Sequence, residues 1–313
     1  MWTLVAGLLM GWSLGANDAA NVFGPIVGSG AMRFWTAAVL ASIFVLVGAM
    51  TMGSRGFAVY DAIGTQTLLS AFLIALSAGL TVTLMTLLGL PVSSTQAVVG
   101  AILGAALLSG GASCAPLVKI GVSWLVTPLG GMVAAYIPYK LLSLFPEALP
   151  NRLVSRTVVV RVGLVLVTCY SAYALGANNV ANVTGVYVSS GLLSPGMGAL
   201  IGALSIGLGI LTFSRRVIET VGSRIVELDA VTALIVILAE AVTLNIYAVV
   251  GVPVSSSQAV VGAVLGIGLV KGVKTIDARV LMRVLFGWVG TPTVAGLVSA
   301  ALVFVIRLLP QVT

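Results

Sequence analysis

Two short polar motifs, each present twice, are the residues of this chain best suited to bind a ligand. The first reads GANDAANV at 15–22 and GANNVANV at 176–183, which is 161 residues later. The second reads PVSSTQAVVGA at 91–101 and PVSSSQAVVGA at 253–263, which is 162 residues later. Both lie in apolar stretches, where amides and hydroxyls are costly unless they find partners. Duplicated polar breaks of this kind are typical of the substrate site of a secondary transporter.

The first motif predicts a site for an alkali cation such as Na⁺. Its asparagines are spaced i, i+4 and therefore share one face of a helix, next to a carboxylate in the first copy. Packing between helices is the alternative for one asparagine, but a repeated pattern that includes a charge favours a binding site. Glu240 lies in a predicted apolar helix of the second half, and its counterpart in the first half is Ala78. We include Glu240 among the predicted cation ligands. The predicted ligands are Asn17, Asp18, Asn21, Asn178, Asn179, Asn182 and Glu240.

Glycines and a proline beside the first motif are expected to let the helix unwind there. Unwound carbonyl groups, amide oxygens and a carboxylate would together form a hard oxygen cage of the kind that such cations prefer. The flanking residues that carry this expectation are Gly15, Gly24, Pro25, Gly176 and Gly185.

The second motif predicts a site for a tetrahedral oxyanion, such as phosphate, at the start of a helix. The proline stops the incoming helix, and serine and threonine are preferred caps of the next one. Free backbone N–H groups, the positive end of the helix dipole and a cluster of hydroxyl donors suit a tetrahedral oxyanion, although a capped turn is the alternative for a single copy. The predicted ligands are Ser93, Ser94, Thr95, Gln96, Ser255, Ser256, Ser257 and Gln258.

The composition indicates an all-α integral membrane protein. Hydrophobic residues make up 59% of the 313 residues and charged residues 7%, far below the roughly 25% of a soluble domain. Ten apolar segments are predicted, and most are too long for the strands of an outer-membrane barrel. Their approximate limits are 3–28, 34–53, 60–88, 91–110, 115–140, 158–188, 193–213, 227–250, 253–270 and 280–308.

The distribution of Lys and Arg predicts the topology. If all ten segments cross, 12 of these residues fall on one side and 3 on the other, which by the positive-inside rule places both termini outside. Ten crossings, or another count of the same parity, give an odd number per copy, so the copies at 1–140 and 158–313 are expected to be inverted repeats with discontinuous helices. The polar stretch 141–157 is the predicted cytoplasmic linker.

Several function classes are disfavoured by what the chain contains. Its net charge of +7 comes from residues between apolar segments rather than from a basic run, so no nucleic-acid partner is expected. The chain has no histidine and two isolated cysteines, so the chain offers no general base of the usual kind and no metal-ligand spacing. We therefore expect that the protein is not an enzyme and uses no cofactor.

With both motifs duplicated, the chain resembles the inorganic phosphate transporter family of sodium/phosphate symporters over nearly its whole length. The resemblance implies a cation-coupled phosphate symporter of the inner or plasma membrane, built as an inverted repeat and forming a homodimer. The sequence departs from the family where many members have Asp in place of Asn179 and His in place of Gln96 and Gln258. It has Val45 where eukaryotic members have Glu, but retains their second Glu as Glu240.

Three alternatives stay open at this point. Within the transporter class, the chain could be coupled to H⁺ or could carry sulfate. An anion channel would need a continuous pore instead of two gated half-sites. An enzyme acting on a lipid phosphate ranks last, because the chain offers neither a histidine nor a paired-carboxylate motif.

Overall fold

The computed structural model of the protein describes residues 2–28, 30–63, 66–88, 92–109, 113–145, 153–221, 229–272 and 278–308. The regular elements in these ranges are all helices, which confirms the predicted all-α class. In chain order they are α1 (Leu4–Val22), α2 (Gly24–Gly28), α3 (Phe34–Met52), a 3₁₀ turn (Gly53–Gly56), α4 (Phe57–Ile63), α5 (Leu68–Leu87), α6 (Ser94–Ser109), α7 (Cys114–Leu144), α8 (Leu153–Ser189), α9 (Pro195–Thr212), α10 (Ser214–Val221), α11 (Ala230–Val250), α12 (Ser256–Lys271) and α13 (Ala278–Arg307).

Each predicted apolar segment coincides with a helix, but the described residues supply seven stretches long and apolar enough to cross a membrane. One of them, Phe34–Ile63, includes α3, the 3₁₀ turn and α4. Helix α3 itself ends at Met52, next to the predicted limit of 53, and the turn that follows carries Arg55. The number of crossings remains a prediction.

The predicted linker between the two copies, 141–157, begins and ends in helix. Helix α7 continues to Leu144 and α8 begins at Leu153, so residues at either end of 141–157 are helical. The remainder of that stretch, 146–152, lies outside the described residues.

Helices α5 and α6 pack against each other as a hairpin, and so do α11 and α12. The Ser113 N–H, just after α6, donates to the carbonyl of Ile63, just before α5, at 2.8 Å. An ion pair of 3.2 Å joins Asp229 at the start of α11 to Lys271 at the end of α12. Each pair therefore returns to the end of the bundle from which it began. Helices α6 and α12 have 16 residues each, about 24 Å at 1.5 Å per residue, against a hydrocarbon core of about 30 Å.

The two hairpins start from opposite ends of the helix bundle. Helix α8 runs from one end, where Arg161 donates to the Ala31 carbonyl, to the other, where Ser189 donates to Asp61 in α4. The α5–α6 hairpin begins beside α4, at the Ser189 end. The α11–α12 hairpin begins at the Arg161 end, because Leu234 near the start of α11 lies against α8 at residue 163.

The closest approaches between helices occur in pairs related by the motif spacing. A Cβ built on Gly15 of α1 would lie 2.0 Å from the Ile206 carbonyl oxygen of α9. A Cβ on Gly176 of α8 would lie 2.0 Å from the Val45 carbonyl oxygen of α3, and both residues are displaced by 161 from the first pair. Packing of α6 on α13 and of α12 on α7 repeats this relation. Each half thus packs on the other half in equivalent ways, which supports the predicted repeat.

The expectation that the first motif unwinds the helix is wrong for the second copy, because α8 is continuous from Leu153 to Ser189. In the first copy the motif itself is helical, but α1 breaks directly after it at Phe23, next to Gly24 and Pro25. The glycines instead allow close helix packing, as at Gly15 and Gly176, while Gly185 lies against the ring of Tyr60. Consequently the carbonyls of the second copy remain engaged within helix α8.

Substituting Gly176 by Ala should destabilise the fold, because the new methyl group would meet a backbone carbonyl that cannot rotate away. We expect the free energy of unfolding to fall by about 1–3 kcal/mol, the usual cost of overpacking. Gly207→Ala is the matched control: its Cβ would make an ordinary 3.5 Å contact with Ser42, and it gains the same helix propensity. Thermal unfolding of both purified variants in detergent measures the difference, and equal midpoints would contradict this packing.

Candidate functional site

Both copies of the second motif form a capped helix start, as the sequence predicts. Helix α11 ends at Val250, Gly251 follows in the left-handed region with φ of +75°, and the chain is then non-helical up to Ser255. The Ser255 hydroxyl accepts from the Gln258 N–H, and the Ser93 hydroxyl accepts from the Gln96 N–H, each at 3.3 Å. These two serines therefore cap their own helices. Residue 91, the proline of the first copy, lies outside the described residues.

The starts of α6 and α12, which we call the two tips (92–96 and 254–258), contact each other directly. Thr95 donates to the Val254 carbonyl at 3.0 Å, and Ser257 donates to the Val92 carbonyl at 2.9 Å. The two bonds are equivalent under the repeat spacing, since each residue is displaced by 162 from its counterpart. These hydroxyls join the two halves, and the hairpins from opposite ends of the bundle therefore meet tip to tip.

Asp18 lies at this junction with no exposed surface. Its carboxylate accepts from the Asn17 amide at 2.8 Å and from the Ser94 hydroxyl at 3.4 Å. Ser256 of the other tip lies close by. Both described donors are uncharged, so the negative charge is stabilised by dipoles alone.

Asn179, the counterpart of Asp18, belongs to a second network. Asn182 donates to the Asn179 amide oxygen at 2.8 Å and to the Thr95 hydroxyl at 2.9 Å, and it accepts from the Tyr60 hydroxyl at 2.5 Å. The first motif of the second half is thus connected to the tip of the first half. The Asn179 amide nitrogen is buried without a described partner.

The outer asparagines of the two motif copies differ in their roles. Asn178 fixes the tip of its own half: it accepts from the Val254 N–H at 3.0 Å and donates to the carbonyls of Leu244 and Val252. Asn17 instead accepts from Thr86 of α5 at 3.3 Å while it donates to Asp18. Asn21 is half-buried, whereas its counterpart Asn182 is 2% exposed.

Glu240 lies apart from the hydrogen bonds of the two motifs. It is fully buried in α11 and accepts from Ser171 of α8 at 3.0 Å, while its second oxygen has no described partner. Among the described residues, Asp18 and Glu240 are the charged side chains that are buried.

Other buried polar atoms at the junction also lack partners. The side-chain oxygens of Gln96 and Gln258, in equivalent positions of the two tips, accept no described hydrogen bond. Buried polar atoms in native proteins are nearly always satisfied, so an unpaired pair related by the repeat indicates a place where a ligand or water binds. The junction combines such acceptors with two hydroxyl donors and a carboxylate, and this donor set suits both an oxyanion and a hard cation.

Three residues of the site were not identified from the sequence. Tyr60, Thr86 and Ser171 each donate to a motif residue or to Glu240. They stand outside the repeated motifs, and their types are common in membrane helices. The signal that could have found them is position: Thr86 lies in the last turn before the second motif, and Ser171 lies seven residues before Asn178 on the same helix.

Comparison with known proteins gives a consistent result. The family model described as "Phosphate transporter family" matches residues 14–299. A protein of Methanocaldococcus jannaschii named "Putative phosphate permease" is 30% identical, with 93% of each chain covered. A protein of Pyrococcus horikoshii with the same description is 27% identical, with 98% of this chain and 97% of the other covered.

A solved structure has the same fold. The chain titled "The sodium-dependent phosphate transporter" superposes with a TM-score of 0.84 over 99% of this chain and 100% of that chain. Sequence identity between the two is 24%, so the likeness concerns the fold.

Proposed function

Since the chain belongs to the phosphate transporter family, we propose that it is a secondary active transporter that imports inorganic phosphate together with Na⁺. In this proposal the protein lies in the cell inner membrane, and phosphate binds between the two tips, near the bilayer midplane. The relatives named as phosphate permeases and the fold shared with a sodium-dependent phosphate transporter support the choice of anion and cation.

The observation that carries this proposal is the convergence of Ser94 and Ser256 on one buried point. Each lies at the first turn of a helix, where backbone N–H groups and the helix dipole favour an anion. Of the hydroxyls in the two tips, those of Ser93 and Ser255 cap their helices and those of Thr95 and Ser257 join the tips. Ser94 and Ser256 remain as donors that can turn to a ligand.

The same two serines suggest how phosphate and a cation are coupled. Each hydroxyl has one proton to donate, and Ser94 donates to Asp18 here. If phosphate accepts that hydrogen bond instead, Asp18 keeps only the Asn17 amide and faces a second anion in a buried site. A bound Na⁺ would compensate for this loss, because unpaired buried charges are very costly. Phosphate binding and Na⁺ binding are therefore expected to favour each other.

The arrangement of the hairpins supports alternating access. They enter from opposite ends of the bundle and meet at their tips, so movement at either side can expose the site to one end at a time. If the α5–α6 and α11–α12 hairpins each enter and leave the membrane on the same side, the number of crossings per copy stays odd. The inverted repeat with both termini outside is then kept. A homodimer and the linker facing the cytoplasm complete this model.

Other functions are less well supported. Coupling to H⁺ would require Asp18 or Glu240 to carry the proton, because the chain has no histidine. Sulfate shares the tetrahedral shape of phosphate and is the alternative anion. A channel would not need two tips that meet and close the path, and membership of a transporter family argues against an enzyme.

Removing one tip hydroxyl should weaken phosphate binding. For Ser94→Ala and Ser256→Ala we expect a loss of about 1–3 kcal/mol, the value of a hydrogen bond to a charged group. Ser205→Ala is the control, since Ser205 is buried in α9 and donates to its own helix at Gly202. Titration calorimetry with phosphate on the three purified variants measures the effect. Unaltered affinity in both tip variants would exclude phosphate from this place.

Three of the candidate cation ligands should differ in importance. Asp18→Asn should abolish or greatly weaken Na⁺-dependent uptake, because a carboxylate holds Na⁺ more strongly than an amide in a dry site. Asn179→Ala should cause a milder loss, and Glu240→Gln should resemble Asp18→Asn if Glu240 supplies the second charge. The measurement is phosphate uptake into proteoliposomes at matched protein levels, with Na⁺ or choline outside. Normal Na⁺ dependence in Asp18→Asn would show that this carboxylate serves packing only.

A further inference from the structure

Tyr60 is a buried residue whose hydroxyl contacts the candidate site from a separate element. It lies in the short helix α4, is 1% exposed and donates to the Asn182 amide oxygen at 2.5 Å. Its ring lies against α8 at Gly185, where a Cβ would come within 2.6 Å of the ring. Helix α4 is thus held on α8, directly over the second copy of the first motif, by a hydrogen bond and by close packing.

The hydrogen bond from Tyr60 determines how the Asn182 amide is oriented. With its oxygen facing the tyrosine hydroxyl, Asn182 must direct its NH₂ group the other way. That group donates both to Asn179 and to Thr95, and Thr95 in turn donates to Val254 of the opposite tip. A chain of hydrogen bonds therefore links α4 to the contact between the two tips.

The equivalent position at the other end of the bundle has no such hydroxyl. The repeat spacing of 161 relates Tyr60 to Val221, the last residue of α10, and α10 packs on α1 as α4 packs on α8. Asn21, the counterpart of Asn182, is half-buried. A small pocket on that side is lined by Trp12, Ser13, Ala16, Thr83, Thr86 and Phe213, and Thr86 bonds directly to Asn17.

We propose that Tyr60 is a positioning residue that closes the site at the α4 end, by fixing the Asn182 amide through the bond from its hydroxyl. This inference rests on the proposed function and deepens it, since it identifies the α4 end as the end at which the site is closed in this conformation. When α4 moves away, the Asn182 oxygen loses its donor and becomes available to a cation. The movement that opens the site at the α4 end therefore also exposes the Asn182 oxygen.

The test compares two buried tyrosines. Tyr60→Phe removes the hydroxyl but keeps the ring, and Tyr187→Phe is the control, because Tyr187 is 0% exposed and donates at 2.7 Å to the Thr3 carbonyl, away from the site. The reporter is Ala181→Cys, a buried position beneath the 3₁₀ turn, in protein whose two native cysteines are replaced by Ala. An impermeant methanethiosulfonate reagent is applied to either side of sealed vesicles, and Ser113→Cys identifies the α4 side.

From the α4 side, we expect Tyr60→Phe to raise the labelling rate of the reporter about two- to tenfold, the population shift produced by losing one hydrogen bond from the closed state. Tyr187→Phe should leave the rate unchanged. An unchanged rate in Tyr60→Phe, or an equal rise in both variants, would overturn the proposal. Labelling needs no phosphate, so this failure is distinct from failure of the proposed function, which would appear as absent phosphate transport by the unaltered protein.

Discussion

The structure depends on keeping the Asp18 carboxylate buried without a described cationic partner. Burial of an ionised carboxylate is costly unless hydrogen bonds replace the lost water. Here two neutral donors, the Asn17 amide and the Ser94 hydroxyl, do so, and Ser256 of the other tip lies close by. The charge therefore lies where the two tips meet. Because Ser94 is also well placed to bind an anion, its bond to Asp18 is one that a phosphate ion would have to replace.

Meeting of the tips follows from how the two halves pack. Equivalent glycines allow α1 to lie against α9 and α8 against α3, with backbone touching backbone. This crossed packing places each copy of the first motif beside both hairpins, and the reciprocal bonds of Thr95 and Ser257 then align the tips. The halves are not identical, however. Tyr60 holds α4 over Asn182, while the opposite end has valine at the matching position. That asymmetry gives the two ends of the site different closures.

The sequence was sufficient to predict the helical membrane fold, the places of most helices and the helix starts, because apolar length and capping are local properties. It was wrong about unwinding at the second copy of the first motif: glycine in a membrane helix favours both bending and close packing, and only the positions of the neighbouring helices decide between them. The residues outside the motifs that contact the site could not be predicted from the sequence either. Tyr60 and Ser171 reach it through long-range packing, and nothing in their local sequence distinguishes them from ordinary membrane-helix residues.

The central claim is that phosphate and Na⁺ share the Asp18 site and favour each other's binding. Its most direct test is titration calorimetry of the purified protein with phosphate, in Na⁺ buffer and in choline buffer, followed by titration with Na⁺ in the presence and absence of phosphate; sulfate serves as the competing anion. We expect Na⁺ to tighten phosphate binding and phosphate to tighten Na⁺ binding by the same factor, as linkage requires. Equal phosphate affinity in Na⁺ and choline would contradict the account.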